Sequence, residues 1–225
     1  MKIGILGAIE TEIAFYLKKI NNPVKTEYVK RTFYEGEWEG KEIVLVAAGM
    51  GKVNAAAGAQ ALISRFGVTH LIVSGVAGGI DTSLRIGDTV IADKVYYHDL
   101  ASFVFEDHPI VSDGCFLPDE RMTAVLKKST HADHKGKIVC GTVVTGDAFI
   151  EKEGRERIIS DFSPMCTDME TAAVAHICHL FDVPFAVVRS VSDTEEESGF
   201  DTFEANCKKA SLSSYLTVES IIAEL

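Results

Sequence analysis

Six short apolar runs rich in β-branched residues punctuate the chain: KIGIL at 2–6, EIVLVAAG at 42–49, HLIVSG at 70–75, DTVIAD at 88–93, KIVCGTVV at 137–144 and FAVVRSVS at 185–192. Near-continuous apolar runs of this length fit strands buried on both faces. Between many of them the apolar positions return every three or four residues, which predicts helices over 53–66, 120–129, 151–160, 170–181 and 203–225. Strands alternating with helices specify an α/β fold of three αβα layers around a central mixed, mainly parallel sheet. FYEGEWEGKEIVLV is the exception and reads as a hairpin turning at Glu39-Gly40. No Pro-, Gly- or Ser-rich linker and no repeat interrupts the pattern, so one domain over residues 1–225 is expected.

In sheets of this kind ligands bind beyond the carboxyl ends of the strands. The stretches at those ends are GAIETE, GMGK, SGVAGG, TGDAF, TDME and SVSD. Nearly all are small, acidic or glycine-rich. Converging on one rim, they would form an acidic pocket with close backbone approach. Such a pocket suits a neutral or cationic ligand, or a transition state that gains positive charge.

The composition is that of an ordinary globular chain: 225 residues, 47% hydrophobic, with a net charge of −11 from 22 Lys+Arg and 33 Asp+Glu. That balance argues against nucleic acid or an anionic membrane as the main partner. No run approaches the length of a membrane span, and the leading apolar stretch is too short for a signal-peptide core. Five cysteines without paired spacing fit reduced thiols better than a disulfide framework, so a cytoplasmic location is expected.

Two glycine motifs invite a nucleotide reading and fail it. GMGKV at 49–53 lacks the phosphate-loop spacing, and Val53 stands where Ser or Thr would hold magnesium; GILGAIE lacks the dinucleotide spacing. GVAGG at 75–79 is either a tight turn or a backbone cradle. His176 and His179 lie one helical turn apart, but no second cluster supplies a third metal ligand, so packing is the expected role. The acids carry more. Glu12 follows the first strand, Asp168 and Glu170 flank Met169 ahead of an alanine-rich helix, and Asp193 ends a strand that also holds Arg189. One acid is explained by a helix cap and another by a helix dipole. An arginine inside an apolar strand needs an acidic partner. The set of Glu12, Glu170, Asp193 and Arg189 on one rim is less easily explained by capping alone.

The order MKIGILGAIETEI, GMGKVNAAAGA, SGVAGGI, YYHD, TGDAFI, DMETAAVAHICH, VPFAVVRSVSD closely resembles the 5′-methylthioadenosine/S-adenosylhomocysteine nucleosidases, within the superfamily of purine and uridine nucleoside phosphorylases. The similarity runs the length of the chain. It implies a homodimer without metal or cofactor that hydrolyses the N-glycosidic bond of an adenine thionucleoside, releasing adenine and a thio-ribose. Matched by motif, Glu12 is the implied base that activates water, and Asp193, with Ser192 beside it, the acid at adenine N7. Glu170 is implied to bind the ribose hydroxyls and Met169 to lie against the sugar. Phe149 is implied to pack on adenine, and the Ile150 backbone to read its edge. Arg189 is implied to order the acids and water, while Met50 and Phe200 form pocket walls. A helix N-terminus favours a carboxylate, which suits a base at Glu12; burial should favour the neutral form of Asp193 unless Arg189 pairs with it.

The chain departs from the family in three places. Val76 stands where a small hydroxyl residue is common, so a hydroxyl contact to water or ribose is absent or supplied elsewhere. Asp168 replaces a more usual glutamate. Residues 98–118 diverge most, and their Phe103 and Phe105 point to an apolar pocket for the 5′ substituent. Three other functions remain open: a nucleoside phosphorylase, for which only Arg85 and Arg189 are available to hold phosphate; a nucleosidase for another purine nucleoside, such as an aminofutalosine-type substrate; and a nucleoside-binding sensor without catalysis.

Overall fold

The structure, a computed structural model, describes residues 1–105, 111, 114–130, 133–151, 154–197 and 199–225. In chain order its elements are β1 (Lys2–Gly7), α1 (Glu10–Leu17), β2 (Asn21–Tyr28), β3 (Arg31–Trp38), β4 (Lys41–Ala47), α2 (Lys52–Ser64), β5 (His70–Gly79), β6 (Thr89–Tyr97), α3 (Glu120–Leu126), β7 (Ile138–Thr145), α4 (Arg155–Phe162), β8 (Cys166–Asp168), α5 (Thr171–Leu180), β9 (Phe185–Asp193) and α6 (Phe200–Glu219). All six apolar runs form strands. The hairpin between β3 and β4 turns where expected, with Glu39 and Gly40 both at positive φ, as a type I′ turn requires.

Two glycines at positive φ set helix starts that the apolar periodicity misplaces. Gly154 (φ 79°) caps α4, which therefore begins at Arg155 and not near 151, and residues 152–153 lie outside the described residues. Gly199 (φ 107°) precedes α6, which stops at Glu219 and ends in a 3-10 turn at Ile222–Glu224. The largest difference is in β5, which continues through GVAGG as extended strand, without positive φ at Gly75, Gly78 or Gly79. Those glycines are there for space rather than for a turn.

The strands form one sheet in the order β2-β3-β4-β1-β5-β8-β7-β6-β9. β9 also pairs in parallel with β5, so β5, β8, β7, β6 and β9 close on themselves while β1, β4, β3 and β2 extend beyond them as a wing. Pairings are parallel at β1/β4, β1/β5, β5/β9, β6/β7 and β7/β8 and antiparallel at the remaining four junctions. Alternate side chains enter two cores. Ile3, Ile5, Ile43, Leu45 and Ile72 face α1, α3 and α6, whereas Leu6, Val44, Val46, Leu71 and Val73 face α2 and α5. Burying each such side chain is worth about 1.5–3 kcal/mol, and the double-sided burial explains the unbroken apolar runs. Small residues let the second layer approach closely: a Cβ on Gly58 of α2 would sit 2.7 Å from the Ala48 side chain. No described helix is long and apolar enough to cross a membrane.

Candidate active site

All six acidic or glycine-rich stretches reach one cavity of roughly 640 Å³, measured with its open mouth. Parallel strands β1, β4, β5 and β9 bring four of them by the carboxyl-end rule. β7 and β8 run against β5 and reach the cavity because the sheet curls closed. The lining includes Glu12, Met50, Val76, Phe149, Ile150, Met169, Glu170, Ser192, Asp193 and Phe200, which are all the sequence candidates except Arg189.

Arg189 is the one candidate that does not line the cavity. It is only 1% exposed, absent from the lining and placed behind the acids rather than against a ligand. Its Nε lies 2.7 Å from Asp168 Oδ2, its Nη2 3.5 Å from Glu170 Oε2 and its Nη1 3.7 Å from Glu12 Oε1. A buried guanidinium is tolerated because three carboxylates surround it, and the carboxylates are held in turn by their shared cation. Gly75 makes room for this cluster: a Cβ there would overlap Glu12 Oε1 and sit 2.7 Å from Arg189 Nη1.

Glu12 is fixed by the backbone at the start of α1. Its Oε2 accepts from the N–H groups of Ala8 (2.5 Å) and Ile9 (3.0 Å), and its Oε1 from Val76 N–H (2.8 Å). Val76 thus contributes its amide to Glu12, while its side chain packs on Cys207 and Ala210 of α6 and offers no hydroxyl. Asp168 is used up structurally. It accepts from Thr145 Oγ1 (2.6 Å), from the N–H groups of Glu170 and Thr171 at the start of α5, and from Thr171 Oγ1. Glu170 Oε1 accepts from Gly51 N–H at 2.9 Å. Burial raises the Glu170 carboxyl to about 7, with Arg189 opposing and Asp168 and Glu12 assisting.

Asp193 sits apart from Arg189. Burial raises its proton affinity, and the Ser192 hydroxyl, donating to Oδ1 at 2.7 Å, opposes the shift together with Arg155. Gly78, in register with Asp193, leaves room for Oδ2, which would lie 3.1 Å from a Cβ there. Phe149, Phe200 and Phe203 form an aromatic wall, with Phe203 edge-on to Phe149 at 6.2 Å and tilted against Phe200 at 5.6 Å. The described lining holds four carboxylates (Glu12, Asp168, Glu170 and Asp193) and no Lys, Arg or His. Arg85 instead donates to the Thr82 and Leu84 carbonyls.

Several signals lead elsewhere. His176 packs among Tyr97, Phe105 and Phe116, and no group of metal-ligating residues occurs among those described. Phe103 and Phe105 do not line the cavity; of residues 98–118, positions 106–110 and 112–113 lie outside the described residues. Sequence reasoning missed Phe203, the hub role of Asp168 with Thr145 and Thr171, and a knot around Lys52. There Lys52 Nζ lies 2.8 Å from Asp99 and 3.4 Å from Asp147, tying the loops that carry Met50 and Phe149. Only the two-residue spacing of Asp168 and Glu170 hinted at any of this.

A sequence model described as the phosphorylase superfamily matches residues 2–223. The 5′-methylthioadenosine/S-adenosylhomocysteine nucleosidase of Colwellia psychrerythraea (strain 34H) is 36% identical, over 100% of this chain and 97% of its own. The solved structure of the nucleosidase from Colwellia psychrerythraea 34H, in complex with adenine, has a TM-score of 0.91 at 34% identity and covers 100% of this chain and 96% of that one. The native structure of the futalosine hydrolase of Helicobacter pylori strain 26695 has a TM-score of 0.88 at 32% identity, covering 100% and 98%.

Proposed function

The chain belongs to the phosphorylase superfamily and within it to the 5′-methylthioadenosine/S-adenosylhomocysteine nucleosidases, and we propose that its acidic cavity hydrolyses the N-glycosidic bond of those nucleosides. It is an N-ribosyl hydrolase that releases adenine and the thio-ribose. The observation that carries the reading is a described lining with four carboxylates and no basic side chain, beside an aromatic wall. As the C1′–N9 bond breaks, the sugar becomes oxocarbenium-like, and nearby carboxylates stabilise that charge. The bonding electrons pass to adenine, and Asp193, whose hold on a proton burial strengthens, gives its proton to N7. Proton transfer of this kind contributes about 10²–10⁴-fold. Water adds to C1′ and yields its proton to Glu12, whose orientation three backbone N–H groups fix. Glu170 takes the ribose hydroxyls, Met169 lies under the sugar, Phe149 and Phe200 cover adenine, and Met50 and Val76 wall the ribose side. Arg189 acts through the acids it holds.

Phosphate as the nucleophile would need cations or a nest of free donors where the acids stand. The test is turnover of methylthioadenosine with and without phosphate. Adenine release independent of phosphate is expected; strict phosphate dependence with a pentose 1-phosphate product would overturn the reading. The likeness to a futalosine hydrolase makes a 6-amino-futalosine-type nucleoside the comparison substrate in the same panel.

The active form proposed is a homodimer. Val53 is 82% exposed at the start of α2, near the exposed Met50, and Phe103 is exposed beyond Asp99. A monomeric mass by light scattering would overturn this. Five free thiols support a reducing, cytoplasmic setting.

A further inference from the structure

Arg155 opens α4, is buried, and lies outside the cavity lining. Its Nη2 donates to the carbonyls of Gly79 (2.7 Å) and Ile80 (3.0 Å), and its Nε stands 3.5 Å from Glu195 Oε2 without forming a hydrogen bond. Those partners belong to the two segments that frame Asp193. Gly79 follows Gly78, the register partner of Asp193 on β5, and Glu195 comes two residues after Asp193. Unlike Arg189, which three buried carboxylates surround, Arg155 has one carboxylate within ion-pair distance among the described residues, and that side chain is 54% exposed. Faced by a carboxylate that is itself half-exposed, its charge reaches its neighbours through a region of low dielectric.

We propose that Arg155 is a positioning residue for Asp193: it clamps the end of β5 to the segment after β9 and sets a fixed, buried cation among the groups that act on the acid. This rests on the proposed role of Asp193 as the acid. Among the described residues the groups facing Asp193 are few. Glu151 and Arg155 come from the segment that leads into α4, the Ser192 hydroxyl from its own strand, backbone and Gly78 from β5, and the uncharged Phe200 and Phe203 from α6. Burial favours the neutral acid, Ser192 and then Arg155 oppose it, and Glu151 assists it. A proton held too tightly makes a poor donor, and one held too loosely is gone at the working pH. Arg155 supplies a fixed cation that opposes the effect of burial on Asp193.

The experiment measures kcat/KM for adenine release from methylthioadenosine between pH 6 and 10. The alkaline limb reports loss of the proton from the acid of the free enzyme. Arg155→Met is expected to move that limb to higher pH, raising the ratio of rates at pH 9 and pH 7 by about threefold or more. Arg155→Lys, which keeps the charge but not both carbonyl bonds, is expected to leave the limb in place while lowering kcat. Glu195→Gln, on an exposed side chain, removes the partner of Arg155 and is expected to move the limb to lower pH; it decides the matter if Arg155→Met does not fold. A purely structural Arg155 would alter stability and leave the limb unmoved in every variant, which would overturn the proposal. Asp193→Asn runs in parallel. If it retained the wild-type rate, the role of Asp193 itself would fail; an inactive Asp193→Asn with an unmoved limb would sink only the inference about Arg155.

Discussion

Replacing Glu170 by Gln gives a stability difference whose pH dependence follows from the site. Burial raises the Glu170 carboxyl from its ordinary 4.5 to about 7. Below pH 4.5 the group is protonated in the folded and unfolded chain alike. Between 4.5 and about 7 the unfolded chain gives up a proton that the folded chain retains, so folding becomes less favourable as pH rises. At 1.36 kcal/mol for each tenfold change in proton affinity, the loss reaches about 3 kcal/mol above pH 7. Glutamine cannot titrate, so Glu170→Gln escapes that loss. It keeps an acceptor for Gly51 N–H, and Arg189 keeps Asp168 and Glu12. Whatever constant offset the new amide introduces beside Arg189, the variant should gain on wild type by about 3 kcal/mol between pH 4.5 and 8.5. Urea unfolding of both proteins at several pH values measures this, since titrating groups remote from the cluster cancel in the difference. A difference between the two proteins that stays flat with pH would refute the buried, protonatable Glu170.

Three further substitutions probe the scaffold. Gly75→Ala should lower both stability, by about 1–3 kcal/mol, and kcat, because its Cβ collides with Glu12 and Arg189; thermal melts and turnover check it. Arg189→Met should cost about 3–5 kcal/mol by leaving three buried carboxylates without their cation, read by denaturant midpoint. Lys52→Met should change stability by no more than about 1 kcal/mol, since its partners are partly exposed. Its main effect should be a higher KM, because the loops bearing Met50 and Phe149 lose their tie.

Much of the fold was legible because both faces of the central strands are buried, which leaves unbroken apolar runs such as residues 42–49. What escaped lacks that signature. β2 is an almost wholly exposed edge strand, and its turn to β3 uses Val29 and Lys30 at positive φ with no glycine to mark it. α1 is eight residues long and buries only Glu12, Ile13 and Tyr16, too few for a periodic stripe. At the site, the acids stood out because carboxylates at the ends of apolar strands need a reason. Arg189 was legible as a buried cation, but its sequence neighbours could not say that three carboxylates would consume it and keep it from the cavity. Arg155 gave no signal: its carbonyl partners are 75 and 76 residues away and are backbone atoms, which sequence does not distinguish.

The division of labour between Glu12 and Asp193 is tested most directly by single-turnover adenine release from methylthioadenosine in Glu12→Gln and Asp193→Asn, with substrate affinity measured alongside. Both variants should bind within a few-fold of wild type and release adenine about 10²–10⁴ times more slowly. A wild-type rate in either variant would contradict the roles proposed for these two carboxyls.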